Sequence, residues 1–212
     1  MKPSLLATLS FFLFALTTYF PLSSTQDIDK VKDTDGDPLI PGAKYYILPT
    51  TSGPEAGGGV KLGKTIDQKC PLTVLQDYSE TFIGLPVKFN VRDSKDFITV
   101  NFSDIDIEFD MKPECAHSSK WVLIKSYTYL QRWISIGSIE DVEASYGKVI
   151  NGVFNIEKHG LGYKLVYVID GGGSNDIASY IDVNGRRLVV PDEFDTFEVK
   201  FVNANGNGRY VV

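Results

Sequence analysis

Cysteine, histidine and positive charge are all scarce in this chain of 212 residues. Two cysteines are too few for a disulfide-dense small domain or for a four-cysteine metal site. Two histidines exclude a three-histidine metal site, and we expect neither a metal nor another cofactor. The formal net charge of −6 argues against a nucleic-acid partner, since such binding depends on the neutralisation of phosphates.

Long hydrophobic runs are also scarce. The sequence contains one, at the amino terminus, and no second run of similar length. A basic start with Lys2 precedes an apolar run over 5–20, and small residues follow at 23–25. This pattern is typical of a secretory signal peptide. The run has 16 residues, whereas a membrane-spanning helix needs about 20. We therefore predict a signal peptide over residues 1–25 and a secreted domain over residues 26–212 that does not associate with a membrane.

Secretion determines how the two cysteines and one glycosylation motif are interpreted. In an oxidising compartment, Cys70 and Cys115 most simply form a disulfide. They are 45 residues apart, and closing a loop of that length stabilises a fold by about 4 kcal/mol. The sequon that begins at Asn101 predicts an N-linked glycan, although it lies in a strand-like run.

Helix signals are few and strand signals are many. One short helix is predicted over 139–146, bounded closely by Gly137 and Gly147. Short apolar runs separated by turn residues predict an all-β sandwich or barrel, and the turn Asn184-Gly185 predicts a hairpin. The strand-like runs are residues 45–48, 72–75, 87–89, 97–102, 104–109, 121–124, 133–136, 153–156, 163–167, 181–183, 187–190 and 197–201.

Motifs for catalysis are absent. His117 is followed by two serines and His159 lies in a glycine-rich turn, but neither has a Gly-x-Ser-x-Gly nucleophile motif to serve. The 27 acidic residues allow many carboxylate pairs for glycoside hydrolysis, and nothing singles out one pair. The glycine run 57–59 lacks the Gly-Lys-Ser/Thr ending of a phosphate loop, so we interpret it as a flexible turn. We predict that the chain is not an enzyme.

One stretch near the amino terminus resembles a known family. The segment VKDTDGDPL at 31–39 leads into YYILP at 45–49, in the order of the amino-terminal signature of the plant Kunitz-type (soybean trypsin inhibitor) family, which includes miraculin-like members. The resemblance spans nearly all of residues 28–201. Further similar segments lie at 70–76, at 84–87, at Cys115 with 121–122, at 163–166 and at 187–190.

This resemblance implies both a fold and an activity. The expected fold is an all-β β-trefoil of twelve strands, in which a six-stranded barrel is capped by three hairpins with pseudo-threefold symmetry. The expected activity is inhibition of serine endopeptidases, chiefly trypsin-like ones, by a secreted monomer with a role in plant defence, in the extracellular space or the vacuole. Cysteine endopeptidases are a second target class, because family members also reach them through other loops. A non-inhibitory binding or storage protein of the miraculin-like type is the alternative on the same fold.

The resemblance also implies a reactive loop. Counting from Gly84 without gaps puts the P1 residue at Arg92 and the reactive bond between Arg92 and Asp93. A guanidinium suits the carboxylate at the base of a trypsin-like pocket. Lys95 is a second candidate, and an ordinary polar turn is the alternative interpretation of the segment. The predicted loop comprises Asn90, Val91, Arg92, Asp93, Ser94 and Lys95.

Three residues depart from the family pattern. Asp93 would place a carboxylate near the oxyanion that develops at the reactive bond, which is unfavourable. Pro41 stands where the family has a loop-supporting asparagine, and its side chain has no hydrogen-bond donor. Val168 stands where the family has a cysteine of a second disulfide. Together they predict a less rigid loop and weaker trypsin inhibition than the family pattern implies.

Overall fold

Short strands make up nearly all of the regular secondary structure in this computed structural model. The structure describes residues 29–53, 55–65, 68–127, 131–143, 147–182, 185–190 and 195–205. In Ile105–Phe109 every second residue is buried, as in a strand with one face on a core. Fourteen strands and one short helix lie within these ranges: β1 Lys44–Pro49, β2 Val60–Gly63, β3 Thr73–Gln76, β4 Val87–Val91, β5 Ile105–Phe109, β6 Trp121–Ser126, β7 Arg132–Ile136, α1 Ile139–Glu143, β8 Gly147–Ile150, β9 Gly152–His159, β10 Gly162–Ile169, β11 Ser174–Asp176, β12 Ala178–Asp182, β13 Gly185–Val190 and β14 Glu198–Asn203.

Six of the strands close into an antiparallel barrel. The order around the barrel is β10, β14, β1, β4, β5, β9 and back to β10. β4 and β5 are paired from Val87 opposite Phe109 to Val91 opposite Ile105. Closure leaves no open edge within these six strands. The connection between β4 and β5 is thus held at both of its ends by a continuous sheet.

Three hairpins cap the barrel. They are formed by β2 with β3, β6 with β7, and β12 with β13, and their second strands pair with one another. β8 pairs with β6 of the second hairpin, and β11 pairs with the far end of β10 outside the closed ring of six strands. Each third of the chain therefore contributes two barrel strands and one hairpin. The predicted all-β class and the β-trefoil implied by the resemblance are confirmed.

Aromatic side chains fill the barrel. Phe89 packs edge-on against Phe201 with ring centroids 5.4 Å apart, and Trp121 packs edge-on against Phe154 at 6.1 Å. All four side chains are at most 2% exposed. Edge-to-face pairs of this kind add to the free energy gained by burying the rings. This core makes the barrel a rigid support for its surface loops.

The predicted disulfide is present. Cys70 precedes β3 and Cys115 lies between β5 and β6, with Cα atoms 5.9 Å apart. That separation is within the range that a disulfide spans without moving the backbone. The bridge encloses β3, β4, β5 and the connection between the last two.

At several places the secondary structure predicted from local sequence patterns differs from the structure. The predicted strand over 97–102 is wrong, because Asn101 has a left-handed φ of 66° and the segment makes a single bridge, from Thr99 to Lys30. β2, β8 and β11 were not predicted, since each is short and two begin with glycine or serine. The glycines at 57–59 are buried rather than in a flexible turn, and a Cβ atom at Gly59 would lie 2.0 Å from the Ile83 carbonyl oxygen.

Besides the carboxyl-terminal end of the predicted helix, two predictions fall wholly or partly outside the described residues. These are the signal peptide over 1–25 and the hairpin turn, of which Gly185 is described and Asn184 is not. The described part of the predicted helix is α1. Within the described ranges, no helix is long and apolar enough to cross a membrane.

Candidate reactive loop

The connection between β4 and β5, residues 92–104, contains most of the predicted reactive loop. Asn90 and Val91 belong to β4, where they pair with Asp106 and Ile105. The predicted loop therefore begins two residues inside a strand, because the β4–β5 ladder runs further than its sequence indicates. We call residues 92–104 the β4–β5 loop.

The charged tip of the β4–β5 loop is accessible to solvent. Arg92, Asp93 and Ser94 are exposed, and Lys95 is half-buried. The base of the loop is closed by the Arg92 amide, which donates to the Asp104 carbonyl oxygen at 3.1 Å. A bend that is held at its base and open at its tip has the geometry of a binding segment on a rigid scaffold.

The guanidinium of Arg92 does not point freely into solvent. Its Nη2 atom lies 3.2 Å from Asp106 Oδ1 on β5 and 3.4 Å from the carbonyl oxygen of Gly152 on β9. Asp106 also accepts from Lys120 Nζ at 3.0 Å. The Arg92 side chain is 48% exposed, and ion pairs with this much exposure contribute about 0–1 kcal/mol. Releasing Arg92 into a partner's pocket therefore costs little.

Lys95 is also held within the loop. Its Nζ atom donates to the carbonyl oxygen of Phe102 at 2.7 Å, so the two limbs of the loop are joined through one ammonium group. Both candidate P1 cations thus make contacts in the free protein that they would have to give up in a protease.

The amino-terminal segment braces the second limb of the loop. The Val31 amide donates to Ile98 O at 2.9 Å, and the Val100 amide donates to Asp29 O at 2.8 Å. The ammonium group of Lys30 lies 4.0 Å from the centroid of the Phe97 ring, a cation–π contact. We call residues 29–31 the amino-terminal brace.

Further hydrogen bonds fix the same limb from inside the protein. The Thr99 amide donates to Ser103 Oγ at 3.0 Å, and the hydroxyls of these two buried residues lie 2.9 Å apart. The Asn101 amide donates to Ile156 O on β9 at 2.9 Å. The limb from 97 to 103 is therefore bonded to the brace on one side and to the barrel on the other.

The three residues that depart from the family pattern lie in different parts of the fold. Pro41 is half-buried, and its neighbour Gly42 donates its amide to Phe89 O on β4 at 2.9 Å. Asp93 is exposed at the loop tip. Val168 pairs with Ser174 and Val153 within the sheet. Support for the loop comes from the brace and the barrel, and the Pro41 side chain supplies no hydrogen bond.

Charged pairs continue along the outer face of the barrel. Asp110 at the end of β5 accepts from Lys44 and Lys88, each at 2.8 Å. Hydrogen bonds from Lys44 and then Lys88 hold the pKa of the Asp110 carboxyl below its usual range. Together with Arg92, Asp106 and Lys120 these residues form a mixed-charge surface, which favours neither a strongly acidic nor a strongly basic partner there.

His117 has a structural partner. Its ring Nδ1 and its backbone amide both contact the carboxylate of Asp141 in α1. Ser118 Oγ accepts from the Lys120 amide at 3.1 Å, so its hydroxyl also serves the backbone of this segment. The His117–Asp141 pair joins α1 to the segment after Cys115.

Sequence reasoning missed Asp106 and the brace. The alternation of apolar and polar residues in β5 indicates that Asp106 faces outward. Knowledge of the strand register, in which Asp106 lies opposite Asn90, would have placed its carboxylate beside Arg92. No local signal connects residues 29–31 with 97–100, because that contact spans about seventy residues.

Comparisons with known proteins identify the family. A model of the legume Kunitz family, described as trypsin and protease inhibitor, matches residues 31–203. The chain belongs to the Kunitz family of trypsin and protease inhibitors. This membership places it among protease inhibitors rather than enzymes.

Individual Kunitz relatives agree with this assignment. A Kunitz-type trypsin inhibitor-like protein of Pisum sativum is 42% identical, over 98% of this chain and 96% of its own. The crystal structure of a Kunitz-type trypsin inhibitor from Cicer arietinum has 44% identity and a TM-score of 0.78, and covers 84% of this chain and 99% of its own.

A complex extends the comparison to a bound protease. Soybean trypsin inhibitor bound to porcine pancreatic trypsin is 26% identical with a TM-score of 0.71, and the match covers 84% of this chain and 100% of that inhibitor. The alternative of a non-inhibitory binding or storage protein is not favoured, because these similar Kunitz proteins are named as inhibitors.

Proposed function

We propose that this protein inhibits a trypsin-like serine endopeptidase by presenting the β4–β5 loop as a substrate that is cleaved very slowly. Arg92 is the P1 residue and the Arg92–Asp93 bond is the reactive bond. The observation that carries this proposal is an exposed arginine on a connection fixed at its base by the barrel and on one limb by the amino-terminal brace. Kunitz membership and the trypsin complex of a related inhibitor support the same protease class.

Inhibition follows from the stiffness of the loop. A flexible peptide loses conformational freedom when it docks, whereas a loop that is already held loses little and binds more tightly. After cleavage of the Arg92–Asp93 bond, the amide of Arg92 would still be bonded to Asp104, and residues 98–100 would still be bonded to the brace. The new chain ends would therefore remain together, which favours religation over release.

The P1 assignment has one competitor within the loop. Lys95 carries the other cation of the β4–β5 loop, and trypsin-like pockets accept both lysine and arginine. Arg92 is favoured because its side chain is more exposed and because β4 ends directly before it. Asp93 on the other side of the reactive bond is expected to reduce the affinity without abolishing it.

The test measures the inhibition constant for trypsin. The mature chain is compared with Arg92→Ala, Arg92→Lys and Lys95→Ala, and with Lys125→Ala as a matched loss of an exposed lysine on β6. Arg92→Ala should raise the constant by about 100-fold or more, since a P1 side chain is the buried anchor of the interface. Arg92→Lys should stay within about tenfold of the wild type, and Lys125→Ala should have no effect.

Two results would overturn parts of this proposal. Equal inhibition by wild type and Arg92→Ala, with a large loss in Lys95→Ala, would move P1 to Lys95. A mature chain that inhibits neither trypsin nor another serine endopeptidase would remove the proposed function. A parallel assay with papain decides whether the cysteine class is also inhibited.

We further propose secretion as a monomer to the extracellular space or the vacuole after removal of residues 1–25. The support is the signal-peptide pattern of the sequence together with the disulfide, which persists in oxidising compartments. Amino-terminal sequencing of the exported protein should find a start within a few residues of Gln26. Export with the first 25 residues still attached would contradict the proposal.

A further inference from the structure

Asn101 is displayed at a turn of the β4–β5 loop. It is exposed, its φ of 66° is left-handed, and its side-chain amide has no hydrogen-bond partner among the described residues. Phe102 beside it is 73% exposed. Asparagine adopts this backbone conformation more readily than most residues. The acceptor residue of the sequon is therefore accessible in the folded protein.

The third residue of the sequon has the opposite environment. Ser103 is 1% exposed, and its hydroxyl is engaged by the amide and hydroxyl of Thr99. A glycosylating enzyme recognises the serine hydroxyl as well as the asparagine, so the folded loop is not a substrate. Modification must precede the burial of Ser103, and competition with folding predicts incomplete occupancy.

The position of Asn101 places a glycan next to the proposed reactive bond. Lys95 Nζ lies 2.7 Å from the carbonyl oxygen of Phe102, one residue from Asn101. At the base of the loop, the Arg92 amide is bonded to Asp104, three residues from Asn101. A branched oligosaccharide on Asn101 would fill the space beside the loop. A protease needs that same space to reach the Arg92–Asp93 bond.

We infer that Asn101 carries an N-linked glycan and that this glycan obstructs docking of a protease on the β4–β5 loop. The inference rests on the proposed function. In the modification, the Asn101 amide nitrogen forms a bond to the anomeric carbon of an oligosaccharide, the bond from that carbon to a lipid-linked pyrophosphate breaks, the pyrophosphate leaves with the electron pair, and the amide proton passes to a base. The exported protein then comprises a strongly inhibiting form without the glycan and a weakly inhibiting form with it.

The experiment uses the full chain secreted from a eukaryotic host. Lectin chromatography separates the two forms, mass spectrometry locates the glycan, and the trypsin inhibition constant is measured for each. Asn101→Gly removes the sequon and keeps the left-handed turn, since glycine adopts positive φ freely. Enzymatic removal of the glycan from wild-type protein gives a second unglycosylated sample that does not depend on a substitution.

The glycosylated form should have an inhibition constant at least tenfold higher than either unglycosylated sample. Absence of a glycopeptide containing Asn101, or constants within twofold of each other, would overturn the inference. Failure of the proposed function gives a different result, in which Asn101→Gly and deglycosylated protein do not inhibit trypsin at all although the glycopeptide is found. That result would keep the modification site and reject its effect on docking.

Discussion

The guanidinium of Arg92 has one set of partners inside the protein and another in a protease pocket. In the free protein it contacts Asp106 and the Gly152 carbonyl oxygen along the barrel wall. In a trypsin-like pocket it would meet a buried carboxylate, where a bidentate pair is stronger because water is excluded. Binding therefore exchanges a weak, exposed ion pair for a strong, desolvated one, and Asp106 competes with the protease for the same side chain.

We predict that Asp106→Asn strengthens trypsin inhibition by up to about fivefold. The substitution removes an exposed ion pair worth about 0–1 kcal/mol, and that free energy is no longer lost when Arg92 enters the pocket. Lys120→Ala is the matched control, because it removes the second cation on Asp106 and leaves the Arg92 pair in place. Weaker inhibition by Asp106→Asn would show instead that Asp106 positions the loop.

Short segments far apart in the sequence determine the shape of the loop. The brace adds its hydrogen bonds to residues 98–100 on one side, and β9 adds one to Asn101 on the other. Because Pro41 provides no side-chain donor, the amino-terminal brace takes the supporting role that the family resemblance assigned to an asparagine. The rigidity of the loop thus depends on the presence of residues 29–31.

We predict that a chain beginning at Val31 inhibits trypsin about tenfold more weakly than one beginning at Asp29, and is cleaved faster at the loop. The shorter chain lacks the Asp29 carbonyl oxygen that accepts from Val100 and the Lys30 contact with Phe97. Each such interaction contributes about 1 kcal/mol. Inhibition constants and the rate at which trypsin nicks the loop provide the measurement. Equal values for both chains would show that the brace is dispensable.

Helix α1 begins with a reciprocal pair of hydrogen bonds. The Asp141 carboxylate accepts from the Ser138 amide at 2.7 Å, and Ser138 Oγ accepts from the Asp141 amide at 3.3 Å, as in a capping box. Burial of the Asp141 carboxyl raises its pKa, but hydrogen bonds from Ser138 and then His117 outweigh it, and the pKa lies below the ordinary value of 3.8. The ionised form is therefore stabilised by folding.

We predict that Asp141→Asn lowers the free energy of unfolding by about 1 kcal/mol at neutral pH. Because the pKa of Asp141 is depressed in the folded state, its contribution is complete above pH 3.8 and is lost as the pH falls through the folded value. Urea denaturation of both proteins from pH 7 to pH 2 should show the difference shrinking at the acid end. Glu140→Gln, an exposed carboxylate in the same turn, should change stability by less than about 0.5 kcal/mol. A difference for Asp141→Asn that does not vary with pH would contradict this account.

At the scale of the whole molecule, the barrel core and the disulfide both stabilise the fold. The barrel core contains the aromatic pairs Phe89–Phe201 and Trp121–Phe154, and its six strands have no open edge. The single bridge restricts the unfolded chain between Cys70 and Cys115. The second disulfide of the family pattern, one cysteine of which is replaced by Val168, is therefore dispensable for a closed barrel, since β10 still pairs with β9 and β11 through Val168 and with β14 through Tyr163 and Lys164.

We predict that replacing Cys70 and Cys115 by serine lowers the free energy of unfolding by about 4 kcal/mol without abolishing the fold. At denaturant concentrations below its unfolding midpoint, the double variant should keep an inhibition constant for trypsin within a few-fold of the wild-type value. Among the described residues, neither cysteine is hydrogen-bonded to the β4–β5 loop. Reduction of the wild-type bridge is the matched control and should give the same loss. A double variant that is unfolded in buffer would show that the barrel alone is insufficient.

Much of the strand pattern was predictable from local sequence. Alternation in Ile105–Phe109 and apolar runs such as 187–190 predicted strands that the structure confirms. The segment 97–102 was mispredicted because Ile98 and Val100 are apolar for a different reason, namely that they pack into the core beside a turn. β11 was missed because Ser174–Asp176 is polar and lies at the edge of the barrel sheet.

The sequence by itself determined the all-β class and the cysteine pairing, since each depends on residue type and local pattern, and its resemblance to the Kunitz family implied the position of the charged loop tip. The tertiary structure alone decided that Arg92 contacts Asp106, that residues 29–31 brace residues 97–100, and that Ser103 is buried while Asn101 is exposed. These contacts depend on barrel closure and strand register, which arise from the packing of the entire chain and leave no periodic signal in any one segment.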